Sequence, residues 1–360
     1  MKSVRQLREQ VGQLLVMGFE DDSLSSASAK LIRSVQPGGV ILFARNIQDA
    51  RQTHALLRQC RSLVSTPMFL CVDMEGGTVD RLKNAVAPAP SAASVFVSGK
   101  RKYFRQHGKL IGEECRALGF NVDFAPSSDL AFPASHSVLG SRAVSSDPAQ
   151  VTVYVREFLR GLKDAGILGC GKHFPGLGGA NLDSHHALPT IVKNWKNLRE
   201  QDLAPYRALR RTLPFVMVAH ASYPEIVPDG LPASLSPRWI KEVLRQKIGY
   251  RGLVISDDLE MAGALAGGSV ADAAVATLRA GSDLFLVSHQ EELVRAAFDA
   301  VLHAAEQDQD FARTVAHSAQ HVRAFKARHS EFRRFPAPPT APHIELLRSQ
   351  MNNFSRSLRS

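Results

Sequence analysis

The sequence predicts an α/β protein built on a single (β/α)8 barrel of the TIM type, with long βα loops at the carboxyl-terminal face. Short apolar runs rich in β-branched residues recur along the chain, and helical patterns separate one run from the next. Most runs are continuously apolar, which is typical of parallel strands covered on both faces. The eight runs are Gln13–Met17, Gly39–Phe43, Met68–Asp73, Phe120–Ala125, Leu168–His173, Phe215–His220, Leu253–Asp257 and Asp283–Val287.

Helix-start signals stand between these runs. Asp147-Pro148 predicts an N-cap followed by a first-turn proline, and Ser236-Pro237 predicts a second helix start. Apolar residues at helical spacing over 270–278 predict a third helix. Eight strands alternating with helices favour the barrel over a doubly wound open sheet, because no GxGxxG motif follows an early strand.

Composition limits the class of protein. The 360 residues are 44% hydrophobic and 22% charged, as in soluble globular proteins, and no apolar run is long enough for a membrane span. The amino terminus lacks the apolar core of a secretion signal, and the four cysteines are widely spaced without a CxxC pair. We therefore expect a cytoplasmic protein without a disulfide framework.

The net charge of +10 is unevenly distributed along the chain. Residues 321–360 hold eight Lys and Arg residues against two Glu residues, and so supply +6 of that total. The remaining charge is ordinary, so we expect a solvated basic tail and no nucleic-acid partner. We assign residues 1–330 to the barrel domain and 331–360 to a proline-rich linker and basic tail, with 344–358 as a possible last helix.

Charged residues end five of the predicted strands. One charge at a strand end can simply mark where the core meets water, but the strand ends of a barrel face a shared mouth. Five such strands therefore predict a polar site at that mouth. The residues are Asp73, Asp123, Lys172 with His173, His220, and Asp257 with Asp258.

Long loops follow the third, fourth and fifth strands and carry further candidates. Three glycines precede Asp183 and His185, and a carboxylate so close to an imidazole can orient it and raise its basicity. A metal site formed by these two residues and His186 is a weaker interpretation, because the three share one loop without helical spacing. Arg81 and Arg142 lie in the earlier loops and could bind sugar hydroxyls.

Three ordered motifs over roughly residues 10–330 resemble family 3 glycoside hydrolases, specifically their single-domain bacterial β-N-acetylglucosaminidases. The sequence Asp73-Met74-Glu75-Gly76-Gly77 resembles a D-x-E-G-G turn. The segment 171–176 followed by 183–185 resembles K-H-F-P-G-x-G…D-S-H, and 255–261 resembles S-D-D-L-x-M.

This resemblance implies that Asp257 is the nucleophile of a retaining glycosidase, and that His185 is its general acid/base, oriented by Asp183. It implies that the sugar is bound by Asp73, Arg81, Arg142, Lys172 and His173. The expected substrate is a terminal β-linked GlcNAc, as in a GlcNAc–anhydro-MurNAc muropeptide from cell-wall recycling. The scheme requires neither a metal nor an organic cofactor.

The chain departs from the family pattern at two positions, with Leu177 in place of His and Thr78 in place of Arg. Both proposed catalytic residues are nevertheless present, so we expect activity. A broader β-glucosidase, a phosphorolytic enzyme and a non-catalytic GlcNAc sensor stay open as alternatives. A metal-dependent barrel hydrolase is also conceivable from His173, His220 and Asp257, but the first predicted strand lacks the HxH pair that such enzymes need.

Overall fold

A computed structural model of the chain describes residues 4–180, 182, 187–265 and 268–358, and it confirms the predicted barrel. Eight parallel strands form one sheet in the order β4-β3-β2-β1-β8-β7-β6-β5, and each strand matches one predicted run. The strands are β1 Leu15–Met17, β2 Gly39–Leu42, β3 Phe69–Val72, β4 Val122–Asp123, β5 Cys170–Phe174, β6 Phe215–Val218, β7 Leu253–Asp258 and β8 Leu284–Val287.

The barrel closes between β4 and β5 by separate backbone contacts and not by a continuous ladder. Parallel bridges pair Val122 with Leu168 and Ser127 with Lys172. The N–H of Cys170 donates to the carbonyl of Ala125 at 2.8 Å. We call this junction the seam. The seam includes Ser127, in the loop after β4 that also carries Arg142.

Helices surround the sheet and connect its strands. The predicted start at Asp147 is confirmed, since its carboxylate accepts the N–H of Ala149 at 2.8 Å. The segment Arg238–Lys247, which follows Ser236-Pro237, is a π-helix. The α-helices are α1 Val4–Leu14, α2 Ser26–Val35, α3 Ala50–Ser62, α4 Ala92–Val97, α5 Arg101–Leu118, α6 His136–Leu139, α7 Pro148–Asp164, α8 Trp195–Glu200, α9 Leu203–Leu209, α10 Val270–Ala280, α11 Glu291–Gln307, α12 Gln309–Arg328 and α13 Ala341–Ser357.

Aromatic side chains fill the amino-terminal end of the barrel. The rings of Phe69 and Phe215 meet edge to face at 5.4 Å, and Phe215 meets Phe325 of α12 at 5.3 Å. Lys326 is buried beside them, where its ammonium donates to the carbonyl of Gly38 at 2.7 Å and lies 4.3 Å from the Phe69 ring. The space between the strands at this end is therefore filled by side chains.

The carboxyl-terminal segment packs against the barrel domain. The sequence predicts a solvated tail, and this expectation is wrong for α13, because Leu347, Met351 and Phe354 are buried on one face. The ring of Phe354 stacks on His107 of α5 at 6.0 Å. Arg348 and Arg356 therefore lie on a packed helix and not in a solvated tail. Along the described ranges, no helix combines the length and apolar character needed to cross a membrane.

Candidate active site

Two carboxylates share the Lys172 ammonium at the carboxyl-terminal mouth of the barrel. Lys172 lies on β5, and its Nζ is 2.7 Å from Asp73 Oδ1, just past β3, and 2.7 Å from Glu75 Oε1. Burial alone would lower the pKa of Lys172, but these two carboxylates outweigh it and the pKa lies above its usual range. Lys172 is therefore a fixed cation.

Glu75 also forms a bidentate ion pair with Arg142. The Nε and Nη2 atoms of Arg142 lie 2.9 and 2.8 Å from the two carboxylate oxygens of Glu75. Burial opposes ionisation of Glu75, yet Arg142 and Lys172 together hold its pKa well below the usual range. Sequence reasoning did not identify Glu75 as a site residue, although it is the third residue of the D-x-E-G-G motif.

A tight turn orients this segment. Gly76 ends the short strand Met74–Gly76, and Gly77 follows it in the connection to the paired strand Val79–Asp80; both have positive φ, at 81° and 62°. A side-chain carbon at Gly76 would lie 2.2 Å from the carbonyl oxygen of Pro90, so only glycine fits there. The buried carboxyl group of Asp123 holds the start of the turn, since its Oδ1 accepts the N–H of Met74 at 2.9 Å.

His173 is held in one tautomer. Its Nε2 lies 3.2 Å from Arg142 Nη2, and because a guanidinium only donates, Nε2 accepts. The proton is therefore on Nδ1, which donates to Asp129 Oδ2 at 2.7 Å. Asp129 is fully buried and also accepts the N–H of Leu177 at 2.7 Å. Sequence reasoning missed Asp129, although a carboxylate just beyond the fourth strand was a usable signal.

Asp257 lies near the end of β7 with one carboxylate oxygen accepting the N–H of Asp258 at 2.9 Å. Burial would raise the pKa of Asp257, but the positive charges that His173, His220 and Lys172 can carry, together with this N–H, outweigh it. The pKa is lower than usual, so the group is a carboxylate at neutral pH. By contrast, burial raises the pKa of Asp258 to about 7. Near neutral pH Asp257 is therefore ionised, whereas Asp258 is only partly ionised.

His220 is oriented for a supporting role. Its Nε2 donates to the carbonyl of Asp258 at 2.9 Å, and its Nδ1 then accepts the hydroxyl of Ser234 at 2.7 Å. With both ring nitrogens of His220 and of His173 engaged, neither ring offers a lone pair to a metal ion in this arrangement. Among the residues that the structure describes, no group of three His, Cys, Asp or Glu side chains could hold a metal.

Arg81 lies apart from this network. Its guanidinium is 5.7 Å from the Phe43 ring, which also contacts Arg45 at 4.8 Å. The Nε of Arg81 is buried without a hydrogen-bond partner among the described residues. A buried donor of this kind is costly unless a ligand satisfies it, which fits a substrate-binding residue.

The structure thus brings together five of the predicted residues, Asp73, Arg142, Lys172, His173 and Asp257, and it adds Glu75 and Asp129. The predicted acid/base residue His185, its partner Asp183, and His186 lie outside the described residues. Of the two departures from the family pattern, Leu177 is buried at 4% exposure and Thr78 is exposed.

Comparisons with known proteins find relatives similar in sequence and in fold. The family model described as "Glycosyl hydrolase family 3 N terminal domain" matches residues 6–324. A protein of Idiomarina loihiensis named beta-hexosaminidase is 33% identical over 296 residues, covering 81% of this chain and 88% of that protein.

Two solved structures illustrate the likeness in fold. A family 3 β-N-acetylglucosaminidase from Paenibacillus sp. str. FPU-7 superposes with a TM-score of 0.90 at 34% identity, covering 97% of this chain and 68% of that one. NagZ from Neisseria gonorrhoeae, in complex with N-trifluoroacetyl-D-glucosamine, has a TM-score of 0.73 at 28% identity, covering 86% of this chain and 98% of that one.

Proposed function

Because the chain belongs to glycosyl hydrolase family 3 and is an O-glycoside hydrolase, we propose that it is a retaining exo-β-N-acetylglucosaminidase. One observation carries the proposal most. Asp257, a carboxylate whose pKa is lowered, stands at the same barrel mouth as the linked polar groups Asp73, Lys172, Arg142 and His173. The names of the relatives and the glucosamine-type ligand of the Neisseria structure support GlcNAc as the sugar.

The cluster retains hydrogen-bonding capacity for sugar hydroxyls. Lys172 uses two of its three donors on Asp73 and Glu75, so one is left for a ligand. Asp73 is 15% exposed at its side chain and keeps one oxygen free of Lys172. Together with Arg81, Arg142 and His173, these groups form the proposed binding site for the non-reducing sugar.

The proposed reaction has two steps. The Asp257 carboxylate attacks the anomeric carbon and forms a glycosyl ester, while protonated His185 gives its proton to the departing glycosidic oxygen. Neutral His185, oriented by Asp183, then takes a proton from water as the hydroxide oxygen attacks the same carbon and releases Asp257. A nucleophile must be ionised when the substrate arrives, which the lowered pKa of Asp257 supports.

The proposed natural substrate is a GlcNAc–anhydro-MurNAc muropeptide of cell-wall recycling. This finer assignment follows from the family resemblance and from the terminal-sugar chemistry. It is tested by incubating the purified protein with that disaccharide peptide and, separately, with N,N′-diacetylchitobiose, the β-linked disaccharide of GlcNAc. Faster release of GlcNAc from the muropeptide supports the assignment, and equal release from both would contradict it.

The activity is tested with the p-nitrophenyl glycosides of β-GlcNAc and β-glucose, using Asp257→Ala in parallel. We expect turnover of the GlcNAc glycoside only, with loss of about 10³-fold or more in the variant. Proton NMR of the first product should show the β anomer, as retention requires. Comparable turnover of the glucose glycoside would identify a broader β-glucosidase, and GlcNAc binding without turnover would identify a sensor.

The general acid is tested by a leaving-group comparison. Replacement His185→Ala should slow hydrolysis of a poor sugar leaving group far more than hydrolysis of the p-nitrophenyl glycoside, because p-nitrophenolate departs without a proton. Equal slowing of both substrates would overturn the assignment of His185. Adding phosphate to the wild-type reaction and assaying for GlcNAc-1-phosphate distinguishes hydrolysis from phosphorolysis.

A further inference from the structure

A cavity of about 920 Å³ opens at the amino-terminal face of the barrel. Its lining includes Gly169, Pro214 and Gly252, which immediately precede β5, β6 and β7. The candidate active site, which includes Lys172 and Asp257, lies at the opposite ends of the strands. The cavity is therefore separate from the candidate active site, on the face where barrel enzymes do not perform their chemistry.

Basic side chains dominate the lining. Helix α7 contributes Arg156, Arg160 and Lys163, which share one face through their helical spacing. Four more cations come from other segments, namely Arg210, Arg211, Arg251 and Arg328. Glu331 is the one acidic residue of the lining, so seven cations face a single carboxylate, a balance of +6.

Nearly all of these cations lack an ion-pair partner within the described part of the chain. Of the seven, Arg160 alone forms an ion pair there, through Nη1 at 2.9 Å from Glu157. Arg210, Arg251 and Arg328 each donate to backbone carbonyls, which leaves their charges uncompensated. Concave surfaces lined by one sign of charge concentrate the field, so an anion bound here would relieve the repulsion among seven neighbouring cations.

The rest of the lining narrows the class of anion. The floor is apolar, but Phe325 is only 6% exposed and cannot offer a face for stacking bases, as proteins that bind single-stranded nucleic acid do. None of the exposed large hydrophobic side chains among the described residues belongs to the lining, so nothing is available to insert into a bilayer. Both observations favour a soluble ligand held by charge and hydrogen bonds.

We propose that this cavity binds a soluble anion carrying several phosphate groups. Guanidinium groups match phosphate oxygens in pairs, and six of the seven cations are arginines. Because they come from α7, from the segments before β6 and β7 and from α12, they surround a bound anion from several sides. A single phosphate would meet only part of this charge.

The test is titration calorimetry of the full chain with inorganic tripolyphosphate at about 0.05 and 0.3 M salt. The double variant Arg156→Gln/Arg211→Gln removes two unpaired cavity cations. The matched control Arg51→Gln/Arg295→Gln removes two exposed charges from α3 and α11, outside the cavity. We expect binding that weakens with salt, at least about a ten-fold loss of affinity in the cavity variant, and wild-type affinity in the control. Thermal melting verifies that both variants fold.

The source of the phosphate is distinguished by co-sedimentation with phosphatidylglycerol vesicles. Tripolyphosphate binding without vesicle binding supports the soluble ligand. Vesicle binding without tripolyphosphate binding overturns it, even if the cavity variant loses the vesicles. Equal affinity of the two double variants for tripolyphosphate, or no binding by the wild type, would also overturn the proposal.

Discussion

Glu75 and Arg142 form a bidentate ion pair in which both members are largely withdrawn from solvent, with side-chain exposures of 3% and 17%. One oxygen of the same carboxylate also accepts Lys172. Glu75 therefore sets the positions of two cations that come from different parts of the chain. In the proposed site Glu75 is a positioning residue, which acts through these two neighbours.

Replacement Glu75→Gln should destabilise the protein strongly, because it leaves Arg142 and Lys172 buried with one fewer counter-charge. Losing one member of a buried ion pair costs about 3–5 kcal/mol, which urea denaturation would detect. The matched control is Glu9→Gln, which breaks the exposed pair of Glu9 with Arg5 and should leave the free energy of unfolding almost unchanged. Similar losses in the two variants would contradict a special role for Glu75.

Replacement Asp129→Asn should impair sugar binding by releasing His173. The Asp129 carboxylate accepts His173 Nδ1–H, two backbone N–H groups and the Ser127 hydroxyl, whereas an amide offers one oxygen only. We expect KM for the p-nitrophenyl GlcNAc glycoside to rise about ten-fold or more, with a smaller change in kcat. Ser127→Ala, which removes just one of these donors, is the control. A change in kcat alone would rule out this positioning role.

Replacements at two glycines separate steric clash from backbone strain. Gly76 and Gly99 both have positive φ, at 81° and 66°, but only Gly76 has a neighbour where a side chain would stand. Gly99→Ala should therefore cost about 1–2 kcal/mol from strain alone and leave KM unchanged. Gly76→Ala must also displace Pro90 or Glu75, so it should cost more and raise KM. If the two replacements changed the free energy of unfolding and KM to the same extent, a clash at Gly76 would be excluded.

The stability of the protein should depend on the protonation of Lys326. Burial lowers the pKa of this ammonium to about 7 in the folded chain, whereas an unfolded lysine titrates near pH 10.4. Between these values the unfolded chain binds more protons, so the contribution of Lys326 to the free energy of unfolding rises with pH. The rise is about 1.4 kcal/mol per pH unit at most.

The measurement compares urea denaturation of the wild type and Lys326→Met from pH 7 to 9. The difference in the free energy of unfolding between them should grow with pH in favour of the wild type. Lys30→Met, at an exposed position of α2, should show no such slope and serves as the control. A constant difference between wild type and Lys326→Met would show that the amine is not perturbed.

Most of the fold could be predicted, because continuous apolar runs mark buried parallel strands. The errors lie at boundaries that neighbouring residues do not signal. Gln13 and Leu14 belong to α1 and not to β1, since no breaker separates the helix from the strand. Helix α13 begins at Ala341, where Thr340 caps it and Pro342 fits the first turn, although that proline reads as part of a linker.

The site was harder to predict than the fold. The strand ends predicted that Asp73, Lys172, His173 and Asp257 would lie together, because a barrel gathers its strand ends at one mouth. The supporting carboxylates Glu75 and Asp129 were missed. The role of Glu75 depends on its burial between two cations, and that of Asp129 on the tautomer of His173, and neither can be read from the sequence. The basic cavity was also missed. Its cations come from α7, from α12 and from the segments between, so no single stretch of the sequence shows an excess of positive charge large enough to predict it.

The seam between β4 and β5 links the integrity of the barrel to the proposed active site. The bridge from Ser127 to Lys172 and the 2.6 Å bond from Ser128 N–H to the Lys172 carbonyl fasten the two strands. The same lysine carries the ammonium shared by Asp73 and Glu75. A brief parting of these two strands would displace that ammonium, so loss of activity on heating should come before global melting.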